Sequence, residues 1–105
     1  MHQVFMLKLR PGALPEYIRH HDEIPTKWPE LARALRDSGI QHIRTYDAGD
    51  YLVLSVDVTD ENAFPRLWET PAHIEWAKVM DPLIELDAEH KPDARFLTQI
   101  FNFEA

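Results

Sequence analysis

The chain has 105 residues, enough for one ordinary domain and too few for two. Eleven Lys and Arg against eighteen Asp and Glu give a formal net charge of −7, and no basic run offsets it, which argues against nucleic acid or an anionic membrane as partner. There is no cysteine, so disulfides, thiolate nucleophiles, zinc ribbons and iron–sulfur clusters are excluded together.

An apolar share of 45% with 28% charged residues describes a globular chain. The first residues, Met1-His2-Gln3-Val4-Phe5, lack the basic and apolar regions of a signal peptide. No run reaches the roughly 18 apolar residues of a membrane helix. A single cytoplasmic domain over residues 1–105 is the expectation.

Residues 3–10 predict a strand closed by Pro11-Gly12, with Phe5, Leu7 and Leu9 alternating onto one face. Val4 and Met6 leave its second face apolar as well. Residues 14–23 predict a helix with Pro15 in the first turn, after which Pro25 interrupts the chain. A second short helix is expected from Pro29 to Ser38, with Leu31, Ala34 and Leu35 on one stripe and Gly39 past its end. Residues 40–47 and 51–58 predict a hairpin around Ala48-Gly49-Asp50, with Leu52, Leu54, Val56 and Val58 facing the core. Asp60 is expected to cap a helix carrying Phe64, Leu67 and Trp68. Thr70-Pro71 opens another that runs to about Met80. Residues 81–94 read as irregular and polar, and 96–103 as a last strand.

Merging each short helix pair into one crossover gives β-α-β-β-α-β, the ferredoxin-like α+β pattern with a four-stranded antiparallel sheet and helices on one face. The other face, holding Val4, Met6, Tyr51 and Val53, needs a cover. A second copy of the chain is the simplest one, giving a homodimer with packed sheets.

Among residues able to carry chemistry, Tyr17 and His21 share a helix face at i, i+4 spacing. A neutral imidazole exchanges protons near pH 7, and a neighbouring phenol can orient a hydroxyl-bearing ligand. The plainer alternative is a helix-end histidine favoured by the dipole. Adjacent His20 and His21 diverge too far to chelate together, so no metal is expected. His73, Trp76 and Met80 share one side of a helix whose other side carries Ile74 and Ala77; Trp76 is either a core residue or a pocket wall for a sugar ring. Trp28, just before Pro29, is either a staple that fixes the helix entry or a second pocket wall. His42, Arg44 and Tyr46 alternate onto one strand face, opposite Ile43 and Thr45; the stripe either points into a site or, as such stripes more often do, forms a solvated or interfacial face. Glu85, Asp87 and Glu89, with Asp81 and Asp93, read as a solvated loop. No phosphate loop, dinucleotide fingerprint or Ser-His-Asp signature is present, and no cofactor is expected.

Taken together, the Phe5 strand, Glu16-Tyr17-Ile18-Arg19-His20-His21, Trp28-Pro29-Glu30-Leu31, Ser38-Gly39, Trp76-Ala77-Lys78-Val79-Met80 and Gln99-Ile100-Phe101 resemble the L-rhamnose mutarotase family. Its members are small dimeric α+β barrel proteins that interconvert the anomers of a free sugar. The resemblance implies that His21 is the proton donor, that Tyr17 contacts the sugar, and that Trp76 is the first of two adjacent pocket tryptophans. Two positions depart from the pattern. Ala77 stands where the second tryptophan is expected, and Ile43 where the family has a sugar-contacting tyrosine. The implied substrate is a small neutral monosaccharide, with L-fucose or another aldose fitting the departures as well as L-rhamnose.

The implied reaction opens a hemiacetal and closes it on the other face, with His21 as acid at the ring oxygen, Tyr17 orienting the sugar and Trp76 stacking on it. His42, His73, Tyr46 or a water could serve as second proton-transfer partner. Two alternatives stand beside this one: a ferredoxin-like monooxygenase, since fold does not fix function, and a sugar-binding module without turnover.

Overall fold

Alternating apolar residues at the start of the chain form a strand, β1 (His2–Lys8), in a computed structural model that describes residues 1–105. Phe5 and Leu7 point into the core, while Val4 and Met6 are half-covered on the opposite face. Helix α1 (Leu14–Asp22) follows, with Pro15 in its first turn, where a missing N–H costs nothing. The chain does not simply break at Pro25. Four residues, Ile24–Lys27, make one further helical turn, α2, because proline is tolerated among a helix's first residues. Helix α3 (Pro29–Ser38) then begins at Trp28 and stops at Gly39, whose φ of 100° few side chains tolerate. A Cβ at Gly39 would also collide with the Thr59 hydroxyl.

The hairpin forms as its sequence predicts, from β2 (Ile40–Ala48) and β3 (Tyr51–Val58). Its register pairs Ile43 with Val56, Thr45 with Leu54 and Asp47 with Leu52. Paired residues of an antiparallel ladder share a face, so Ile43, Thr45 and Asp47 lie on the side of the buried Leu52, Leu54 and Val56. His42, Arg44 and Tyr46 lie on the other.

Helix α4 (Ala63–Trp68) starts at Asn62, two residues later than a cap at Asp60 would place it. Asp60 instead accepts the Asn62 N–H at 2.8 Å and a two-pronged contact from Arg66, whose guanidinium also reaches the Ser38 carbonyl. That contact holds the Asp60 carboxyl down to about 2. Phe64 and Leu67 are buried, and Trp68 faces solvent. Thr70 caps helix α5 (Pro71–Met80) through the His73 N–H, with Pro71 at the first position. The segment expected to be irregular includes a 3₁₀ turn, Asp81–Leu83, and contributes Leu83 and Ile84 to the core.

The last strand is the main departure. Only Arg95–Phe96 (β4) pair with β1, as Phe5 with Phe96 and Met6 with Arg95, followed by one bond from the Leu97 N–H to the Val4 carbonyl. Extending that register would set Gln99 beside His2, leaving residues 100–103 beyond the end of β1 with nothing to pair with. Ile100 is 95% exposed and Phe101 78%. A hollow of about 420 Å³ lies between His2, Gln3 and Val4 and residues 96–99.

The sheet order is β2-β3-β1-β4, antiparallel throughout, which is the ferredoxin-like arrangement. The core lies between the sheet and its helices. The opposite face carries Val4, Met6, Tyr46, Tyr51 and Val53 with no layer over it. No helix is long and apolar enough to cross a membrane.

Candidate active site

Tyr17 and His21 sit one turn apart on α1, and their rings stack with centroids 4.0 Å apart and planes at 27°. The His21 Nδ1–H donates to the Tyr17 carbonyl at 2.9 Å. A carbonyl can only accept, so Nδ1 carries the proton and a neutral His21 keeps its lone pair on Nε2. Nε2 has no partner in the protein. Burial lowers the His21 pKa below the ordinary imidazole value, partly offset by the bond to the Tyr17 carbonyl. The side chain is therefore neutral at pH 7, with an open acceptor.

Two further aromatic rings pack against that imidazole and behind it. Trp76, 6% exposed, meets it edge to face at 5.0 Å, and Trp28 meets Trp76 in the same way at 5.1 Å. Trp28 ends α2 and begins α3, so the row of rings Tyr17–His21–Trp76–Trp28 ties α1, α5 and the α2–α3 junction together.

A cleft of about 230 Å³ opens beside this row, between α1 and the end of β2. Leu14, Tyr17, Ile18, His21 and Asp22 form one wall, with Thr45, Tyr46, Asp47 and Leu52 forming the other. Pockets for drug-sized ligands span roughly 300–1,000 Å³, so this smaller space suits one small ring. The Tyr17 hydroxyl makes no bond to protein, and burial pushes its pKa up to about 12, so it remains a donor. No Lys or Arg lines the cleft. No three His, Asp or Glu side chains come together in a way that could hold a metal ion.

Of the residues singled out from sequence, Tyr17 and His21 line the cleft. Trp76 and Trp28 stand behind them as support and do not line it. Ile43 is half-buried against the core on the helix side of β2, and Ala77 is half-covered on α5; neither lines the cleft. The register places His42 and Tyr46 on the open sheet face; Tyr46 borders the cleft at its β2 edge, and His42 does not line it. His73 is not part of the lining either. Thr45 and Asp47 are the residues that sequence reading passed over. Strand parity could have found them, because positions 43, 45 and 47 alternate away from the His42-Arg44-Tyr46 stripe.

Fold and site together define a ferredoxin-like α+β protein with a small cleft lined by Tyr17 and His21. Residues 2–103 match the sequence profile of the L-rhamnose mutarotases. The chain belongs to the L-rhamnose mutarotase family. An L-rhamnose mutarotase of Listeria monocytogenes is 30% identical over 98 residues, covering 91% of both chains. The crystal structure of an L-rhamnose mutarotase from Formosa agariphila superimposes with a TM-score of 0.79 at 22% identity, covering 99% of each chain. A cofactor-independent oxygenase from Streptomyces nogalater shares the fold at a TM-score of 0.58 and 14% identity, covering 99% of this chain and 96% of its own.

Proposed function

We propose that the protein is a mutarotase that interconverts the α and β anomers of a free, neutral deoxyhexose of the L-rhamnose or L-fucose type. The observation that carries this is His21, whose Nδ1 is tied to the Tyr17 carbonyl while Nε2 is left free at a small cleft. The family supports the reaction class.

The chemistry needs two proton transfers at one carbon. The anomeric hydroxyl and the ring oxygen are both bonded to C1, within reach of one nitrogen. Neutral His21 Nε2 takes the proton of the anomeric hydroxyl. The C1–ring-oxygen bond then breaks, the anomeric oxygen becomes a carbonyl, and the imidazolium gives its proton to the ring oxygen. After rotation about C1–C2 the same steps run backwards and close the ring on the other face. His21 thus acts as the acid at the ring oxygen with a proton it has just collected. A positioned acid–base group contributes about 10²–10⁴-fold, enough for a reaction that already proceeds slowly in water.

The Tyr17 hydroxyl holds and orients the sugar, and Trp76 keeps the imidazole in place from behind. The lining without Lys or Arg favours a neutral ligand over a phosphorylated one.

The working unit is a homodimer in this reading. The face with Val4, Met6, Tyr51 and Val53 has no layer over it, and Phe101 and Phe103 are exposed; a second copy would take this apolar surface out of water. Sedimentation equilibrium checks this: a monomer at micromolar concentration contradicts it.

The enzymatic reading is tested by two-dimensional NMR exchange between anomers across a panel of aldoses. Cross-peak intensities above those of the buffer are expected for at least one 6-deoxy sugar. Buffer-level exchange for the whole panel sinks the reading, and saturable binding without exchange would leave a sugar-binding module.

A further inference from the structure

We infer that Asp47 holds a hydroxyl of the bound sugar from the β2 wall of the cleft, facing His21, with the Thr45 hydroxyl beside it. The inference rests on the mutarotase reading and adds a specificity-determining residue to it.

The placement follows from strand register. Asp47 pairs with the buried Leu52 and Thr45 with Leu54, so both project to the helix side, two residues apart and about 6.6 Å along the strand. Both line the cleft that Tyr17 and His21 line. The Asp47 carboxylate is held in place: Oδ1 accepts the Gly49 N–H at 2.9 Å in the hairpin turn. Its second oxygen is free. Asp47 forms no ion pair with any Lys, Arg or His, and Thr45 Oγ1 has no protein partner. An exposed carboxylate with one oxygen fixed, one free and no cation nearby is an acceptor for a neutral donor. A sugar hydroxyl is that donor, and the bond is charge-assisted.

Asp22 adds a second carboxylate to the cleft, so an anionic sugar meets repulsion from both walls.

The test compares wild type with Asp47→Asn and Asp47→Leu by anomer-exchange NMR and by titration of sugar binding. Asparagine keeps an acceptor for the Gly49 N–H, so it preserves the turn while removing the charge; melting temperature and circular dichroism report whether either variant folds. A hydrogen bond to a charged group corresponds to about 10- to 100-fold in binding. Asp47→Leu is expected to raise KM and Kd by that range with kcat little changed, and Asp47→Asn by less. Losing the charge also narrows the preference for a neutral aldose over a hexuronate, which a purely structural role for the turn would not do. A folded Asp47→Leu with wild-type KM and Kd overturns the role of Asp47 and leaves the mutarotase reading standing. Wild type that neither binds nor interconverts any sugar of the panel removes both.

Discussion

The two walls of the cleft are built to different standards. The α1 wall is stiff: the rings of Tyr17, His21, Trp76 and Trp28 stand in contact, and the imidazole has one nitrogen locked to the backbone. The β2 wall is the end of an edge strand, paired with β3 on one side only, with the Thr45 and Asp47 side chains exposed. Acid–base chemistry needs an imidazole within a fraction of an ångström of its target, so it belongs on the supported wall. Recognition of hydroxyls tolerates an exposed strand end, where side chains can change without disturbing the core. If Asp47 takes a sugar hydroxyl as inferred, substrate preference rests on the exposed wall and proton transfer on the aromatic one.

Each substitution below strains one wall and leaves the other. His21→Ala removes the proton carrier and is expected to lower kcat by about 10²–10⁴-fold, with sugar binding reduced far less. Trp76→Ala opens a hole behind the imidazole. Large-to-small changes of this kind cost about 3–5 kcal/mol, and urea unfolding should show a loss of that order. Trp76→Phe keeps most of the edge contact, so it should retain stability and most activity; equal losses in both variants would mean that the ring row does not position His21. Replacing Asp47 comes next, acting on KM. Tyr17→Phe removes one neutral hydroxyl and keeps the stacked ring, so a few-fold rise in KM is expected.

The pH profile separates the walls in another way. His21 has a lowered pKa, mainly from burial. The working form is neutral, so activity should hold as pH falls through 6.5 and decline on an acid limb centred below that value. The same shift bears on stability. A folded state that prefers the neutral imidazole has its full contribution above 6.5, and loses it as pH falls below 6.5 toward the folded value. An acid limb centred above 6.5 would contradict the buried, Nδ1-locked imidazole. Asp60 acts at lower pH: its pKa is held at about 2 by Arg66, so its contribution is complete above the ordinary 3.8 and lost as pH falls toward 2. Arg66→Ala should make unfolding less sensitive to acid in that range.

Much of this was legible in the sequence, for identifiable reasons. Period-two alternation at Leu52, Leu54, Val56 and Val58 gives β3 and its core face directly, because that strand is buried on one side only. The i, i+4 spacing of Tyr17 and His21 survives because α1 is one uninterrupted helix between Pro15 and Asp22. What sequence missed depends on long-range contacts. Alternation at Phe101 and Phe103 resembles a strand, but a strand needs a neighbour, and β1 has ended by then. Asp60 looks like a cap, yet the Ser38 carbonyl lies 2.9 Å from Arg66 Nη2 and draws the ion pair to the α3 terminus instead. Trp76 was open between core and pocket, since a helical stripe does not say what lies against it. Asp47 drew no attention because it looks like an ordinary turn residue, and only the register that sets it opposite Leu52 turns it to the cleft.

The most direct test of the account is the anomer-exchange rate of L-rhamnose and L-fucose measured by NMR with wild type and His21→Ala at one pH and equal concentration. The account predicts enhanced exchange with the wild type for at least one of the two sugars, falling by at least about 10²-fold in a folded variant that still binds the sugar. Equal exchange in the two proteins would contradict it.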